Sequence, residues 1–112
     1  MDTANDLTSK RCKPCEGGMP PFTNAKADSF VQQLDGWQRF GDLIGKTYRF
    51  KDYYQTIAFV NAIAWMTHRE DHHPELTVGY NSCKVEYTTH AIHGLSENDF
   101  ICAAKVDALF KI

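Results

Sequence analysis

The 112-residue chain lacks an excess of charge of either sign, since 12 basic residues face 14 acidic ones and the formal net charge is −2. A protein that binds nucleic acid by neutralising phosphates needs a basic face, so this balance argues against a nucleic-acid partner. A long apolar run is also missing, because the most apolar stretch, residues 57–66, is interrupted by Asn61. That stretch is far shorter than the roughly 20 residues of a membrane-spanning helix. We therefore expect neither a nucleic-acid partner nor a membrane segment.

Sequence features that would indicate secretion, a serine nucleophile or nucleotide binding are absent as well. The first ten residues include Asp2 and Asp6 and no apolar run, so no secretory signal is predicted. Four cysteines in a chain without such a signal indicate reduced thiols rather than a disulfide framework. There is no Gly-x-Ser-x-Gly nucleophile elbow, phosphate loop or dinucleotide fingerprint. These absences favour a cytoplasmic location and argue against serine-nucleophile and nucleotide chemistry.

The composition that is present predicts one globular domain with a short arm. Hydrophobic residues make up 43% of the chain, which is too many for a disordered protein, and the length suffices for a single core. Residues 1–21 are predicted to be an irregular N-terminal arm, because a polar stretch there is punctuated by Pro14, Gly17, Gly18, Pro20 and Pro21. Residues 22–112 are predicted to form the domain.

Capping residues and apolar periodicity predict three helices and two hairpins within the domain. Thr23 or Asn24 can cap the first helix, Asp52 the second, and Ser96 the third, with Asp99 completing a capping box. Alternating apolar residues predict strands over about 37–40, 43–50, 76–80 and 83–89. The stripe predicted to face the core from the long helix, about 53–69, comprises Tyr53, Ile57, Val60 and Ala64, with Ile63 beside it.

This order of elements predicts the fold class. Two hairpins separated by a helix cannot form a parallel array throughout, so the expected fold is α+β with a four-stranded antiparallel sheet. Three helices are expected to pack on one face of the sheet, in the order αββαββα. The other face and the sheet edges would then need a cover, and self-association is the simplest one.

Histidines concentrate at two boundaries between elements, where side chains can converge on a pocket. His72 and His73 follow the long helix, and His90 follows the last strand. Neighbouring strands could bring these three together, and imidazole exchanges protons near neutral pH. The simpler interpretation is a set of surface histidines, which suits His68 near a helix end and His93 in a turn.

Two metal hypotheses compete with acid–base chemistry. The histidines together with Glu70 and Asp71 could ligate zinc or iron, but no His-Glu-x-x-His helix is present and adjacent histidines rarely bind one ion. Cys12 and Cys15 have CxxC spacing, yet no second pair completes a zinc site and no helix start follows a strand there. Cys83 and Cys102 are predicted to be buried as small apolar residues. No bound metal is expected.

A set of motifs resembles the pterin-4a-carbinolamine dehydratase family, bacterial type. The resemblance extends over about residues 22–110 and rests on the segments Tyr48-Arg49-Phe50-Lys51-Asp52-Tyr53, Asp71-His72-His73-Pro74-Glu75, Tyr80-Asn81, Thr88-Thr89-His90 and Gly94-Leu95-Ser96-Glu97-Asn98-Asp99. The arm segment from Cys12 to Gly18 is similar to the start of bacterial members. Departures from the family pattern are His68, where a glutamate is common, and Leu76, where an aromatic residue is common.

The resemblance implies an activity and a set of site residues. The family dehydrates 4a-hydroxytetrahydropterin to quinonoid dihydropterin and so recycles the cofactor of aromatic amino acid hydroxylases. Its three active-site histidines fall on His72, His73 and His90, and its pterin-binding segments fall on Asp71–His73 and Thr88–His90. We expect His72 and His90 to transfer protons, His73 to orient the pterin, and Asp71 to tune a histidine. Backbone groups near Thr89 could bind the amide edge of the pterin.

The resemblance also bears on cofactors and partners. The chemistry needs no cofactor, and the family forms homodimers or homotetramers. A functional link to an aromatic amino acid hydroxylase is implied. The alternative hypothesis is a non-catalytic protein that binds a pterin or a protein partner, because vertebrate members also act as transcriptional coactivators.

Overall fold

The computed structural model describes residues 4–13 and 19–111. Its helices are α1 (Ala4–Ser9), α2 (Asn24–Val31), α3 (Tyr53–Glu70) and α4 (Glu97–Phe110). Its strands are β1 (Gln38–Phe40), β2 (Leu43–Arg49), β3 (Glu75–Val78) and β4 (Ser82–Tyr87), and a 3₁₀ turn covers His90–Ile92. From α2 onward the order is the predicted αββαββα.

The four strands form one antiparallel sheet in the order β1-β2-β4-β3. The central pair is the longest, with β2 and β4 in register from Ile44 opposite Tyr87 to Arg49 opposite Ser82. The α+β fold class is therefore confirmed. This order brings the end of β4, and the 3₁₀ turn after it, next to the segment that enters β3 from α3.

The capping residues recognised in the sequence begin the helices. The Thr23 hydroxyl accepts a hydrogen bond from the Lys26 backbone N–H at 3.2 Å. Asp52 accepts one from the Gln55 N–H at 2.9 Å, which begins α3. These side chains satisfy backbone donors that a helix start leaves without an intrahelical partner.

Helices cover one face of the sheet. Tyr48 of β2 packs between α3 and α4, with ring centroids 4.8 Å from Phe59 and 4.9 Å from Phe110. Phe30 of α2 lies 5.3 Å from Phe100 of α4. The inward side chains of the central strands are fully buried: Ile44, Tyr48, Cys83, Val85 and Tyr87. The outward positions alternate with them and are polar, as in Thr47, Arg49, Lys84 and Glu86.

Buried Asp107 joins α4 to the sheet by hydrogen bonds. Its carboxylate accepts from Trp37 Nε1 at 3.2 Å, from Lys46 Nζ at 2.9 Å and from the Tyr48 hydroxyl. Burial, then the hydrogen bond to the Asp107 carboxylate, raise the pKa of Tyr48 far above its ordinary value, so the phenol stays protonated and donates. The single carboxylate thereby fixes the orientation of α4 on β2.

The stripe predicted to face the core from α3 is right only in part: Ile63 is buried and Val60 packs against the core, but Ala64 is exposed. The side chains that α3 buries are Thr56, Phe59, Ile63 and Thr67, whereas Tyr53 is 47% exposed. Apolar residues occur on both sides of this helix, since Tyr54 is 82% and Trp65 67% exposed. Periodicity therefore could not orient the helix. The polar Thr56 can be buried because its hydroxyl lies 2.8 Å from Asp52 O and 3.1 Å from Tyr80 O.

The predicted irregular arm contains a short helix, α1. Leu7 of this helix is 2% exposed and belongs to the core, and Lys105 Nζ of α4 donates to Thr8 O at 2.8 Å. A single leucine among the six residues gives no periodic signal, which is why the sequence did not indicate this helix. Among the described residues, no helix is both long and apolar enough to cross a bilayer.

Candidate active site

A cavity of about 480 Å³ opens where α3 ends, α4 begins and β4 runs into the 3₁₀ turn. It contains all three candidate histidines and the candidate binding residues beside them. The side chains that line it are Cys12, Lys13, Arg69, Glu70, Asp71, His72, His73, Thr88, Thr89, His90, Ala91 and Asn98.

The end of α3 directs the His-His pair. Asp71 adopts the left-handed conformation with φ 55°, and its N–H donates to Thr67 O as the helix C-cap. Aspartate tolerates this conformation better than most residues, and Pro74 prevents the helix from continuing. The chain therefore turns sharply at Asp71, which places His72 against the start of α4 and leaves His73 exposed beside the cavity.

A carboxylate that is completely buried holds His72. The Nε2 atom of His72 lies 2.7 Å from Oδ1 of Asp99, whose side chain is 0% exposed. Oδ2 of Asp99 accepts from the Thr89 hydroxyl at 2.7 Å and from the Ser96 N–H at 2.9 Å. Both partners of Oδ2 are donors, so Oδ1 is the oxygen left to accept a hydrogen bond from His72. This arrangement places the proton of neutral His72 on Nε2 and its lone pair on Nδ1.

Packing restrains the same imidazole. The ring of His72 stacks on Tyr87 of β4 with centroids 5.5 Å apart and planes inclined by 15°. The Cys102 thiol of α4 contacts the backbone of the same residue, with Sγ 3.9 Å from His72 O. The side chain of His72 is 13% exposed, so it is buried on one side and open to the cavity on the other.

The loop after β4 carries His90 into the cavity. Thr89 pairs with Gly94 through two backbone hydrogen bonds of 3.0 and 3.3 Å, which close the loop around the 3₁₀ turn. The Thr88 hydroxyl donates to Asp42 O at 2.6 Å and anchors the loop to the β1–β2 turn. His90 begins the turn and is exposed. The cavity therefore has a fixed imidazole on one side and a solvent-facing one on the other.

Some residues that the sequence singled out lie elsewhere. His68 packs beside Trp65 at 5.9 Å on the exposed side of α3, and His93 is the left-handed C-cap of the 3₁₀ turn. Neither lines the cavity. Cys83 and Cys102 are buried as predicted. Cys15 lies outside the described residues.

The structure adds residues that sequence reasoning did not assign to the site. Asp99 was expected as a helix cap, and it does form the capping box with Ser96, but the same carboxylate also binds His72. A carboxylate in a capping box normally faces solvent, so nothing in the sequence indicated this second contact. Cys12, Lys13 and Asn98 also reach the cavity, through contacts between residues 85 or more positions apart.

Glu70 forms an ion-paired corner of the cavity. Burial alone would raise the pKa of this carboxyl, but the Cys12 N–H, Lys105 and Arg11 outweigh it and hold the pKa below its ordinary value. The two cations lie 3.8 and 3.1 Å from Oε2. Within residues 4–13 and 19–111, no group of three or more His, Cys, Asp or Glu side chains is arranged to hold a metal ion.

Comparisons with known proteins agree on one family. Residues 20–109 match the model of the family described as Pterin 4 alpha carbinolamine dehydratase. A protein of Nitrosospira multiformis named as a candidate pterin-4-alpha-carbinolamine dehydratase is 65% identical, and the alignment spans 100% of both chains.

Two solved structures extend the comparison to the fold. The transcriptional coactivator/pterin dehydratase of Brucella melitensis has a TM-score of 0.76 and 31% identity over 80% of this chain and 97% of its own. A pterin dehydratase-like protein described as a RuBisCO assembly factor in the alpha-carboxysome has a TM-score of 0.56 and 28% identity, over 65% of this chain and 84% of its own.

Proposed function

The chain belongs to the pterin-4a-carbinolamine dehydratase family, and from that premise we propose that it dehydrates 4a-hydroxytetrahydropterin to quinonoid dihydropterin and water. The single observation that carries the proposal is the convergence of His72, His73 and His90 on one cavity, with His72 held by buried Asp99. The cavity volume of about 480 Å³ suits one bicyclic ligand.

The dehydration needs an acid and a base, and the contacts favour one assignment. The hydroxyl at C4a leaves as water after accepting a proton, while a ring N–H gives its proton to a base. His72 is proposed as the base, since its Nδ1 carries the lone pair and the Asp99 carboxylate stabilises the imidazolium that forms. His90 is proposed as the acid on the exposed side of the cavity, where the water can depart.

The remaining candidate residues are proposed to bind and position the pterin. His73 is proposed to orient the ring. For the preceding residue, Asp71, no contact with a histidine supports a role in tuning one. Thr89 acts mainly by position, because its hydroxyl is engaged by Asp99 and Ser96 and its backbone by Gly94. The Thr88 hydroxyl is anchored to the β1–β2 turn, so the backbone of Thr88 and the His90 N–H, beside the engaged backbone of Thr89, are proposed to bind the amide edge of the pterin.

The assay follows the absorbance of freshly generated 4a-hydroxytetrahydropterin with wild-type protein and with His90→Ala. His90 is exposed, so its replacement leaves the core intact. We expect wild type to accelerate dehydration and the variant to lose about 100-fold or more, the usual contribution of a general acid or base. Circular dichroism and gel filtration of both proteins check fold and oligomeric state.

Failure of folded wild type to accelerate dehydration would refute the proposal and favour the alternative, a non-catalytic pterin-binding or partner-binding protein. The names of the two solved structures, a coactivator and an assembly factor, make this a meaningful outcome. A link to an aromatic amino acid hydroxylase and assembly into homodimers or homotetramers belong to the same proposal.

A further inference from the structure

The segment of residues 10–13 connects α1 to the cavity and is tied down by polar contacts on both sides. The Cys12 N–H donates to Glu70 Oε1 at 2.9 Å, and Arg11 Nε lies 3.1 Å from Glu70 Oε2. Lys10 Nζ donates to Glu97 Oε2 at 2.7 Å. The segment therefore spans from the end of α3 to the start of α4.

Asn98 makes the most specific of these contacts. Its Oδ1 accepts from the Lys13 N–H at 3.0 Å, and its Nδ2 donates to Lys13 O at 2.6 Å. One side-chain amide thus satisfies both backbone groups of Lys13, as a neighbouring strand would. Asn98 is 8% exposed, so these two hydrogen bonds are largely shielded from water.

The position of this segment connects it to the reaction. Cys12 and Lys13 line the same cavity as the three histidines. Asn98, which holds them, directly precedes Asp99, which holds His72. One turn of α4 therefore positions both a catalytic histidine and the wall contributed by the arm.

We propose that residues 10–13 form a fixed wall of the substrate site and that Asn98 is the positioning residue that holds this wall in place. The inference rests on the proposed dehydratase function. A wall that contacts the bound pterin contributes to binding rather than to proton transfer, so its release raises KM and leaves kcat largely unchanged. Lys13 is the charged residue that the wall contributes to the lining of the cavity.

A pair of thiols allows the wall to be locked. Sγ of Cys12 and Sγ of Cys102 are in contact at 3.3 Å, so a movement of roughly 1.2 Å would bring them to the ~2.05 Å of a disulfide bond. Diamide supplies the oxidant: its N=N bond takes up two electrons and two protons, becoming a hydrazine, while the two thiols form one S–S bond. The bond would join the arm to α4 independently of Asn98.

The test uses full-length protein in a Cys15→Ser background, so that Cys12 has a single intended partner. Asn98→Ala is expected to raise KM for 4a-hydroxytetrahydropterin about tenfold, with kcat within about twofold. Asn98→Asp keeps the acceptor for the Lys13 N–H and suits the first turn of a helix, so an intermediate KM is expected. Asn24→Ala makes the same change in the first turn of α2, away from the cavity, and should leave KM unchanged.

Diamide treatment then separates positioning from simple destabilisation. A Cys12–Cys102 disulfide, located by peptide mass mapping, should form in wild type and in Asn98→Ala, and should restore the KM of Asn98→Ala to within about twofold of wild type. The same treatment of Asn98→Ala with Cys12→Ser should restore nothing.

Three results would overturn the inference: no disulfide between Cys12 and Cys102, an unchanged KM in Asn98→Ala, or a raised KM that the disulfide fails to restore. A fall in kcat alone would also contradict it, because it would assign Asn98 to the chemistry. Failure of wild type to turn over the substrate would refute the proposed function instead, and the disulfide readout would still report whether the arm lies on the cavity.

Discussion

Replacement of Asp99 by asparagine tests the proposed base most directly. Oδ2 of Asp99 receives two donors, the Thr89 hydroxyl and the Ser96 N–H, so an asparagine must keep its oxygen there and turn its NH₂ toward His72. A donor opposite Nε2 forces the proton of His72 onto Nδ1, the atom proposed to take up a proton. The variant also loses the charge-assisted bond of 2.7 Å.

A hydrogen bond to a charged group contributes about 1.5–3 kcal/mol. If this hydrogen bond stabilises the transition state by about 2–3 kcal/mol, the upper part of that range, its loss lowers kcat about 30- to 150-fold. KM should change little, because Asp99 is completely buried and does not line the cavity. The assay is steady-state dehydration with separate determination of kcat and KM, accompanied by thermal unfolding.

Ser96→Ala provides the matched control for this experiment. It removes a hydroxyl from the same capping network but keeps the Asp99 carboxylate and the Ser96 N–H that binds it. We expect Ser96→Ala to lose about 1 kcal/mol of stability with little change in kcat. Equal kcat values for Asp99→Asn and wild type, or equal losses in Asp99→Asn and Ser96→Ala, would refute the assignment of His72 as a base held by Asp99.

Other expected outcomes concern stability and pH. Asp107→Ala removes the hydrogen-bond partner of Trp37, Lys46 and Tyr48 and should lower the free energy of unfolding by about 3 kcal/mol. Calorimetry should then show a Tm about 15 °C lower, and a loss of stability under about 1 kcal/mol would contradict the network. Gly94→Ala would place a Cβ 2.6 Å from the Cβ of Pro21 and should cost about 1–3 kcal/mol in denaturant unfolding. Ionised Glu70 has a lowered pKa, so its contribution to stability is present above the ordinary value of 4.5 and is lost as pH falls through the lower folded value. The Tm difference between wild type and Glu70→Gln should therefore be larger at pH 7 than at pH 3, and a difference independent of pH would contradict the ion-paired corner.

Short-range patterns in the sequence sufficed for the helices and strands from α2 onward and for their order, although they gave no signal for α1. Thr23, Asp52 and Ser96 were recognised as caps because a cap and the N–H that it binds lie within three residues of one another. The antiparallel α+β class followed because two hairpins around a helix admit few arrangements. The three histidines could be grouped because each follows a rigid element at a boundary, and the cavity does contain them.

The tertiary structure alone decided which side of α3 is buried and what supports the histidines. Apolar residues lie on both sides of α3, so only packing against Tyr48 and α4 could choose the side of Phe59 over that of Tyr53. Asp99 has the local pattern of a helix cap, and its bond to His72 joins residues 27 positions apart. The pairing of Lys13 with Asn98 is longer still, across 85 positions. Contacts of this kind depend on how three separate elements pack together, and local pattern carries no information about that packing.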